Sequence, residues 1–266
     1  MQTDLVLSPF NASSIEMLDA ARIADQGGFR GVWTFDHFSG IVADADWSRD
    51  PLVILGAIAA VTERVRLGVL VANIANRAPA QFASALNTMQ SLAPDRIVAG
   101  IGAGAGSGSR FASEQEAIGR SILPVTARRE ALVNYGIELK SFWSKDQSDS
   151  ALRGVVDQGH RRVPLIVGAS SPQTIQVAAQ IADGVNIRAG KGLESNLTAA
   201  RKISPNEEFE ISVFDRIAMD HPYGGDQSQL QQSQVAARTL VINAPYDLQK
   251  LEEISDNLIS TQNSVP

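Results

Sequence analysis

The stretch VRLGVLVANIANRAPAQFASALNTMQSLAPDRIVAGIGAG (65–104) reads as strand, helix, strand. Residues 65–73 are dominated by side chains that favour a pleated, buried surface. Pro79 then starts a helix that sets Phe82, Leu86 and Met89 four and three residues apart and stops near Pro94. Residues 96–104 form the next strand and run into a glycine-rich loop. The same alternation repeats in both directions along the chain, and that repetition decides the fold.

Upstream, DLVLS (4–8) leads into a helix opened by Ser13, with Glu16 three residues on as a capping box, and closed by Gly27 and Gly28. The second strand is GVWTF (31–35), and Asp50-Pro51 opens the helix PLVILGAIAAVTER (51–64). That helix is apolar on most sides, which predicts burial or an interface. Downstream, a helix runs from about Pro124 to Trp143, and residues 144–162 read as an irregular insertion. Strands follow at 163–169, 183–187, 209–218 and 237–243. They are separated by helices that open at Ser171-Pro172, span about 193–202, and lie near 226–236; DLQKLEEISDNLI closes the chain. Eight strand–helix alternations over residues 1–266 predict a single α/β domain, a (β/α)8 TIM barrel rather than an open sheet.

Composition narrows the partners. A net charge of −6, with no lysine before Lys140, argues against nucleic acid, since phosphate backbones need clustered cations. The absence of cysteine removes disulfides, thiolate nucleophiles and sulfur-ligated metals. The three histidines, His37, His160 and His221, never form an H-x-x-x-H pair, so no metal site is expected. No apolar run approaches the roughly 20 residues that span a bilayer, and residues 1–14 lack a basic, then apolar, leader pattern. A cytoplasmic protein without a membrane partner is expected.

Three segments carry candidate chemistry. GFRGVWTFDHF (28–38) ends a buried strand with Asp36 and His37, either as turn residues or as a functional pair. GIGAGAGSG (100–108) lacks the lysine of a Walker loop and the spacing of a dinucleotide fingerprint. It is either a flexible loop or a surface against which a flat ligand lies close to the backbone. VGASSPQ (167–173) ends a strand in Gly168 and passes through small hydroxyl residues to a helix whose first residue is proline. That arrangement is either an ordinary Ser171 cap or an anion site at a helix N-terminus. The acid pairs Asp44/Asp46 and Glu114/Glu116 read as solvated loop charges, and no G-x-S-x-G elbow occurs.

Taken in order, GFRGVWTFDHF, residues 62–104, RREALVNYGIELKSFW, VPLIVGASSPQTIQVAAQIADGVNI and NAPYDLQKLEEI resemble the luciferase-like monooxygenase superfamily, particularly its deazaflavin-dependent branch. The resemblance implies a (β/α)8 barrel that holds a cofactor at the C-terminal strand ends. It implies a bulge with a non-prolyl cis peptide at Leu70–Val71, with Asn73 just beyond. It puts the cofactor phosphate at Gly168, Ala169, Ser170 and Ser171, and the ring or ribityl chain along Gly102, Ala103 and Gly104. Asp36 would bind the cofactor or orient its neighbour, and His37 would give or take a proton near the hydride position.

This chain departs from the pattern in three ways. Several relatives carry an acid in the loop after strand four, where residues 105–109 have none unless Glu114 or Glu116 folds back. Ala78 stands where many members have histidine, and the shorter chain implies a reduced cover over the substrate. The resemblance therefore implies an oxidoreductase that uses coenzyme F420 to move a hydride to or from a small organic substrate. The rivals are an FMN-dependent monooxygenase and a non-catalytic flavin-binding protein. A homodimer burying helix 51–64 is expected.

Overall fold

The computed structural model describes residues 1–144, 150–203, 209–217, 219 and 228–263. Ala218, His221 and the first residues of the helix expected near 226–236 lie outside them. The strands are β1 (Gln2–Leu7), β2 (Gly31–Thr34), β3 (Arg66–Val69), β4 (Ala72–Asn73), β5 (Ile97–Gly102), β6 (Leu165–Ala169), β7 (Gly184–Arg188), β8 (Glu210–Ile217) and β9 (Ala237–Ile242). The helices are α1 (Ser14–Gln26), α2 (Pro51–Ala59), α3 (Pro79–Leu92), α4 (Ala112–Ala117), α5 (Val125–Ser141), α6 (Pro172–Ile181), α7 (Leu193–Ile203), α8 (Ser228–Gln232) and α9 (Leu248–Asn263).

Every ladder is parallel, from β3 through β2, β1, β9, β8, β7 and β6 to β5. Leu67 opposite Ile97 and Gly68 opposite Val98 pair β3 with β5 and close the ring. β3 and β4 are one interrupted barrel strand, so the fold is a closed eight-stranded (β/α)8 barrel. The interruption is the peptide Leu70–Val71, which is cis.

Alternation along the strands sorts the core into two layers. Val6, Trp33, Leu70, Val98 and Ile166 fill the lumen, with Phe35, Val71, Phe214 and Val241 packed on them. Their neighbours Leu5, Leu7, Val32, Leu67 and Val167 face outward and join Met17, Leu55, Phe82, Leu132 and Ile175 of the helices. The N-terminal end of the lumen is plugged by charge. Arg30 grips Asp4 through two hydrogen bonds of 2.9 and 2.5 Å and lies 3.1 Å from Glu210, which Arg66 reaches at 2.7 Å.

Some local expectations need correction. Ser13 does sit at the start of α1, but its side chain makes no cap hydrogen bond, so the capping box with Glu16 is not formed. The backbone carbonyl of Ser13 accepts from Met17 instead. Asp50, by contrast, caps α2 through Leu52 N and Val53 N. α2 ends at Ala59, because Asp25 captures the N–H groups of Glu63, Arg64 and Val65 and turns the chain into β3. Glu114 is buried rather than solvated, whereas Glu116 is exposed.

Candidate active site

A cavity of about 600 Å³ opens at the C-terminal ends of the strands. Asp36 and His37 reach it from the end of β2, and Leu70, Val71 and Asn73 from the interrupted strand. Gly102, Ala103 and Gly104 line it after β5, as do Gly168, Ala169, Ser170 and Ser171 after β6. All the residues expected at a site thus border one space. Its floor is the top of the lumen core, where Phe35 and Phe214 meet edge to face at 5.9 Å.

Both oxygens of Asp36 are engaged inside the protein. Oδ2 accepts from Asn73 N at 2.9 Å and Oδ1 from Arg77 Nη2 at 3.2 Å. The same Arg77 nitrogen donates to Asp50 Oδ2 at 2.9 Å, linking the α2 cap to the cavity wall. Burial pushes the Asp36 carboxyl above the usual range, against the pull of Arg77. Asp36 therefore pins the chain just beyond the cis peptide.

His37 is clamped on three sides. Its ring stacks on Phe111 at 4.6 Å and on Phe10 at 5.5 Å. Its Nδ1 lies 2.9 Å from Glu114 Oε1, while Glu114 Oε2 accepts from Phe38 N and Ser39 N, each at 2.9 Å. A carboxylate facing Nδ1 places a proton on that nitrogen and leaves Nε2 as the exchangeable position in the neutral ring. Residues 105–109 carry no acid, but α4 folds Glu114 back over the β5 loop, so a carboxylate does stand on the cavity wall.

The glycine row has a packing reason. A Cβ on Gly102 would lie 2.6 Å from Val71 Cγ2, and one on Gly168 would lie 2.9 Å from the same methyl. A Cβ on Gly100 would meet the Val69 carbonyl oxygen at 2.0 Å. These glycines make room for the bulge at Leu70–Val71. Gly104, with φ +79°, turns the loop where Asn73 and Gln115 close on it.

At the start of α6, Ser171 Oγ accepts from Thr174 N at 3.4 Å, and Arg129 Nη2 donates to the same oxygen at 3.4 Å. Neighbouring Arg128 donates to the Gly104 carbonyl at 3.0 Å. The Nε atoms of both arginines are buried without a hydrogen-bond partner. A helix N-terminus beside two guanidinium groups is an electropositive corner suited to an oxyanion.

Of the two acids that the sequence left able to fold back, Glu114 does so and Glu116 does not, while Arg77, the Arg128–Arg129 pair, Arg188 and the aromatic clamp were passed over. A signal for the arginines was present: neighbouring cations near the start of α5 oppose the helix dipole and call for a reason. Among the described residues, no cluster of three or more His, Cys, Asp or Glu could hold a metal ion. No described helix is long and apolar enough to cross a membrane.

The fold and site together define a parallel (β/α)8 barrel with its cavity among the loops after its strands. More narrowly, the chain belongs to the luciferase-like monooxygenase family, whose profile matches residues 8–204. It is 31% identical over 191 residues to the F420-dependent glucose-6-phosphate dehydrogenase of Kineococcus radiotolerans, covering 67% of this chain and 54% of that protein. It is 28% identical over 219 residues to the 5,10-methylenetetrahydromethanopterin reductase of Archaeoglobus fulgidus, covering 75% and 59%. The chain thus spans little more than half the length of these relatives. The coenzyme F420-dependent tetrahydromethanopterin reductase of Methanopyrus kandleri superposes with a TM-score of 0.72 over 98% of this chain and 99% of that one, at 14% identity, a likeness of fold.

Proposed function

We propose that this protein is an oxidoreductase that transfers a hydride between coenzyme F420 and a small organic substrate. The observation that carries this reading is the Glu114–His37 pair on the wall of the cavity whose far side holds the Ser171–Arg129 corner. The residues fit a deazaflavin: the volume suits a ligand of that size, and the buried Arg128 and Arg129 Nε atoms await an acceptor. Gly168, Ala169, Ser170 and Ser171 would hold its phosphate, with Arg129 beside them. Leu70, Val71, Gly102, Ala103 and Gly104 would back the ring system. When bound, the deazaflavin supplies a carbon that takes or gives a hydride with its electron pair. His37 would hold or release the accompanying proton at Nε2, oriented through Nδ1 by Glu114. Asp36 and Arg77 would keep the bulge in place.

Two further readings go with this one. The outer face of α2 exposes Val53 by 75%, and the protein is proposed to form a homodimer across that face. The net charge of −6 supports a small molecule rather than nucleic acid as partner, and a cytoplasmic setting rests on the sequence alone. The central test is anaerobic binding followed through the cofactor's own absorbance and fluorescence, with coenzyme F420 and FMN in parallel. Saturable binding of coenzyme F420, weaker for FMN, is expected, followed by bleaching or recovery of the deazaflavin band with an acceptor or donor panel. Preference for FMN with oxygen consumption would overturn the assignment, as would binding without turnover of any substrate.

A further inference from the structure

The cavity is cationic although the chain is acidic. Four arginines line it, Arg110, Arg128, Arg129 and Arg188, against the carboxylates Asp36 and Glu114. Neither acid is available to those arginines. Asp36 is held by Arg77 and Asn73 N, and Glu114 by His37 and two backbone N–H groups. Arg128 and Arg129 donate to a backbone carbonyl and a hydroxyl, which leave their charge uncompensated. Arg110 pairs at 3.8 Å with the exposed Asp44.

Arg188 differs from the other three. It is the last residue of β7, exposed into the cavity, and its side chain makes no hydrogen bond or ion pair among the described residues. Its register partner on β8 is Phe214, whose ring forms part of the cavity floor. In the closed ring, β7 stands four strands from β2 in either direction, so Arg188 looks across the mouth from the wall opposite His37. The anion corner at β6 is one strand away and has its own cations.

Resting on the hydride-transfer reading above, we infer that the substrate carries an anionic group, a carboxylate or a phosphate, and that Arg188 is the residue that binds it. A planar fork of donors suits either group. A substrate anchored there extends over the Phe35–Phe214 floor toward His37, which fixes which end reacts. A neutral substrate would leave this guanidinium, which has no carboxylate partner among the described residues, without a function in recognition.

The same anionic chemistry could come from a charged tail on the cofactor, and the test separates the two sources. Protein loaded with coenzyme F420, so that its phosphate fills the Ser171–Arg129 corner, is titrated with inorganic phosphate and followed by deazaflavin fluorescence. Saturable binding is expected in the wild type, weakened roughly tenfold or more in R188Q and largely retained in R188K. The dissociation constant of coenzyme F420 itself should not change in R188Q. Equal phosphate binding by wild type and R188Q would overturn the proposal. A loss of affinity for the coenzyme, but not for its tail-free chromophore, would assign Arg188 to the cofactor and overturn it equally. If coenzyme F420 fails to bind at all, the proposed function falls separately. Calorimetry of the bare protein with phosphate then still decides the matter, since R188Q should remove one of two binding equivalents. Among the described residues the Arg188 side chain holds nothing in the fold, so an unchanged melting temperature is the folding control.

Discussion

Glu114 Oε1 lies 2.9 Å from His37 Nδ1, although 77 residues separate the two in sequence. The carboxylate is buried and spends its second oxygen on the N–H groups of Phe38 and Ser39, so it cannot swing away without losing both. The imidazole is thereby fixed in plane by two aromatic rings and in tautomer by one acid.

This arrangement predicts a split between rate and binding. H37A should lower turnover by roughly a hundredfold or more, the usual contribution of a positioned proton carrier, and weaken cofactor binding far less. E114Q keeps the shape but loses the charge behind Nδ1. It should lower turnover while leaving KM close to that of the wild type, and alter the pH profile in the same limb that H37A abolishes. Full turnover in H37A would return the residue to the role of a strand-end loop side chain.

Val71 and the glycines facing it give a second prediction. G102A should crowd Val71 Cγ2, and V71A in the same chain should relieve it, so the double variant recovers much of the lost stability. G100A should not be rescued, because its new methyl meets the Val69 carbonyl rather than a side chain. Overpacking of this kind costs about 1–3 kcal/mol, readable as a lower denaturation midpoint. Rescue of G100A by V71A would contradict the packing account.

What the sequence could and could not disclose follows from the same residues. The barrel was legible because strand runs and helix faces repeat with local periods, and those periods survive in a single chain. The cavity-lining residues were legible where they sit beside a strand end, as Asp36, Asn73 and Ser171 do. Glu114 was legible only as one of two acids able to fold back, because its partner is reached after α4 doubles back, and no local pattern encodes which acid returns. The glycine row was read as loop or ligand surface, whereas Gly100 answers to the Val69 carbonyl and Gly102 to the Val71 side chain, each 31 residues earlier. The α1 cap failed for a simpler reason: Ser13 and Glu16 have the right spacing, but the hydroxyl does not turn to the backbone.

Acid stability offers a third prediction. Hydrogen bonds from Arg162, at 2.7 and 2.8 Å, and from Leu165 N hold Asp183 below the ordinary aspartate value of 3.8 despite its partial burial. Arg30 and Arg66 hold Glu210 below its own ordinary value in the same way. A carboxylate depressed in the folded state stabilises the fold above its unfolded value, and that contribution fades as pH falls through the folded value. Stability should therefore drop as the solution is acidified below about pH 4. D183N should be less stable than wild type at neutral pH and lose less on acidification. Parallel curves for the two proteins, from urea melts at stepped pH, would exclude this ion pair as a contributor.

The last prediction concerns the corner formed by α6, Ser171 and Arg129. If a cofactor phosphate sits there, a carboxylate introduced at Ser170 stands against it, while the fold has little reason to object at an exposed position. S170D should weaken coenzyme F420 by at least tenfold, about 1.4 kcal/mol, and the loss should shrink as salt screens the repulsion. S170A removes the hydroxyl without adding charge and should cost less. R129Q should weaken the same ligand from the opposite direction, by withdrawing a cation, yet leave the binding of a phosphate-free chromophore unchanged. That chromophore is the decisive control. Should S170D and R129Q weaken it as much as the full coenzyme, the corner is not the phosphate site, and the buried Nε atoms of Arg128 and Arg129 must serve another acceptor.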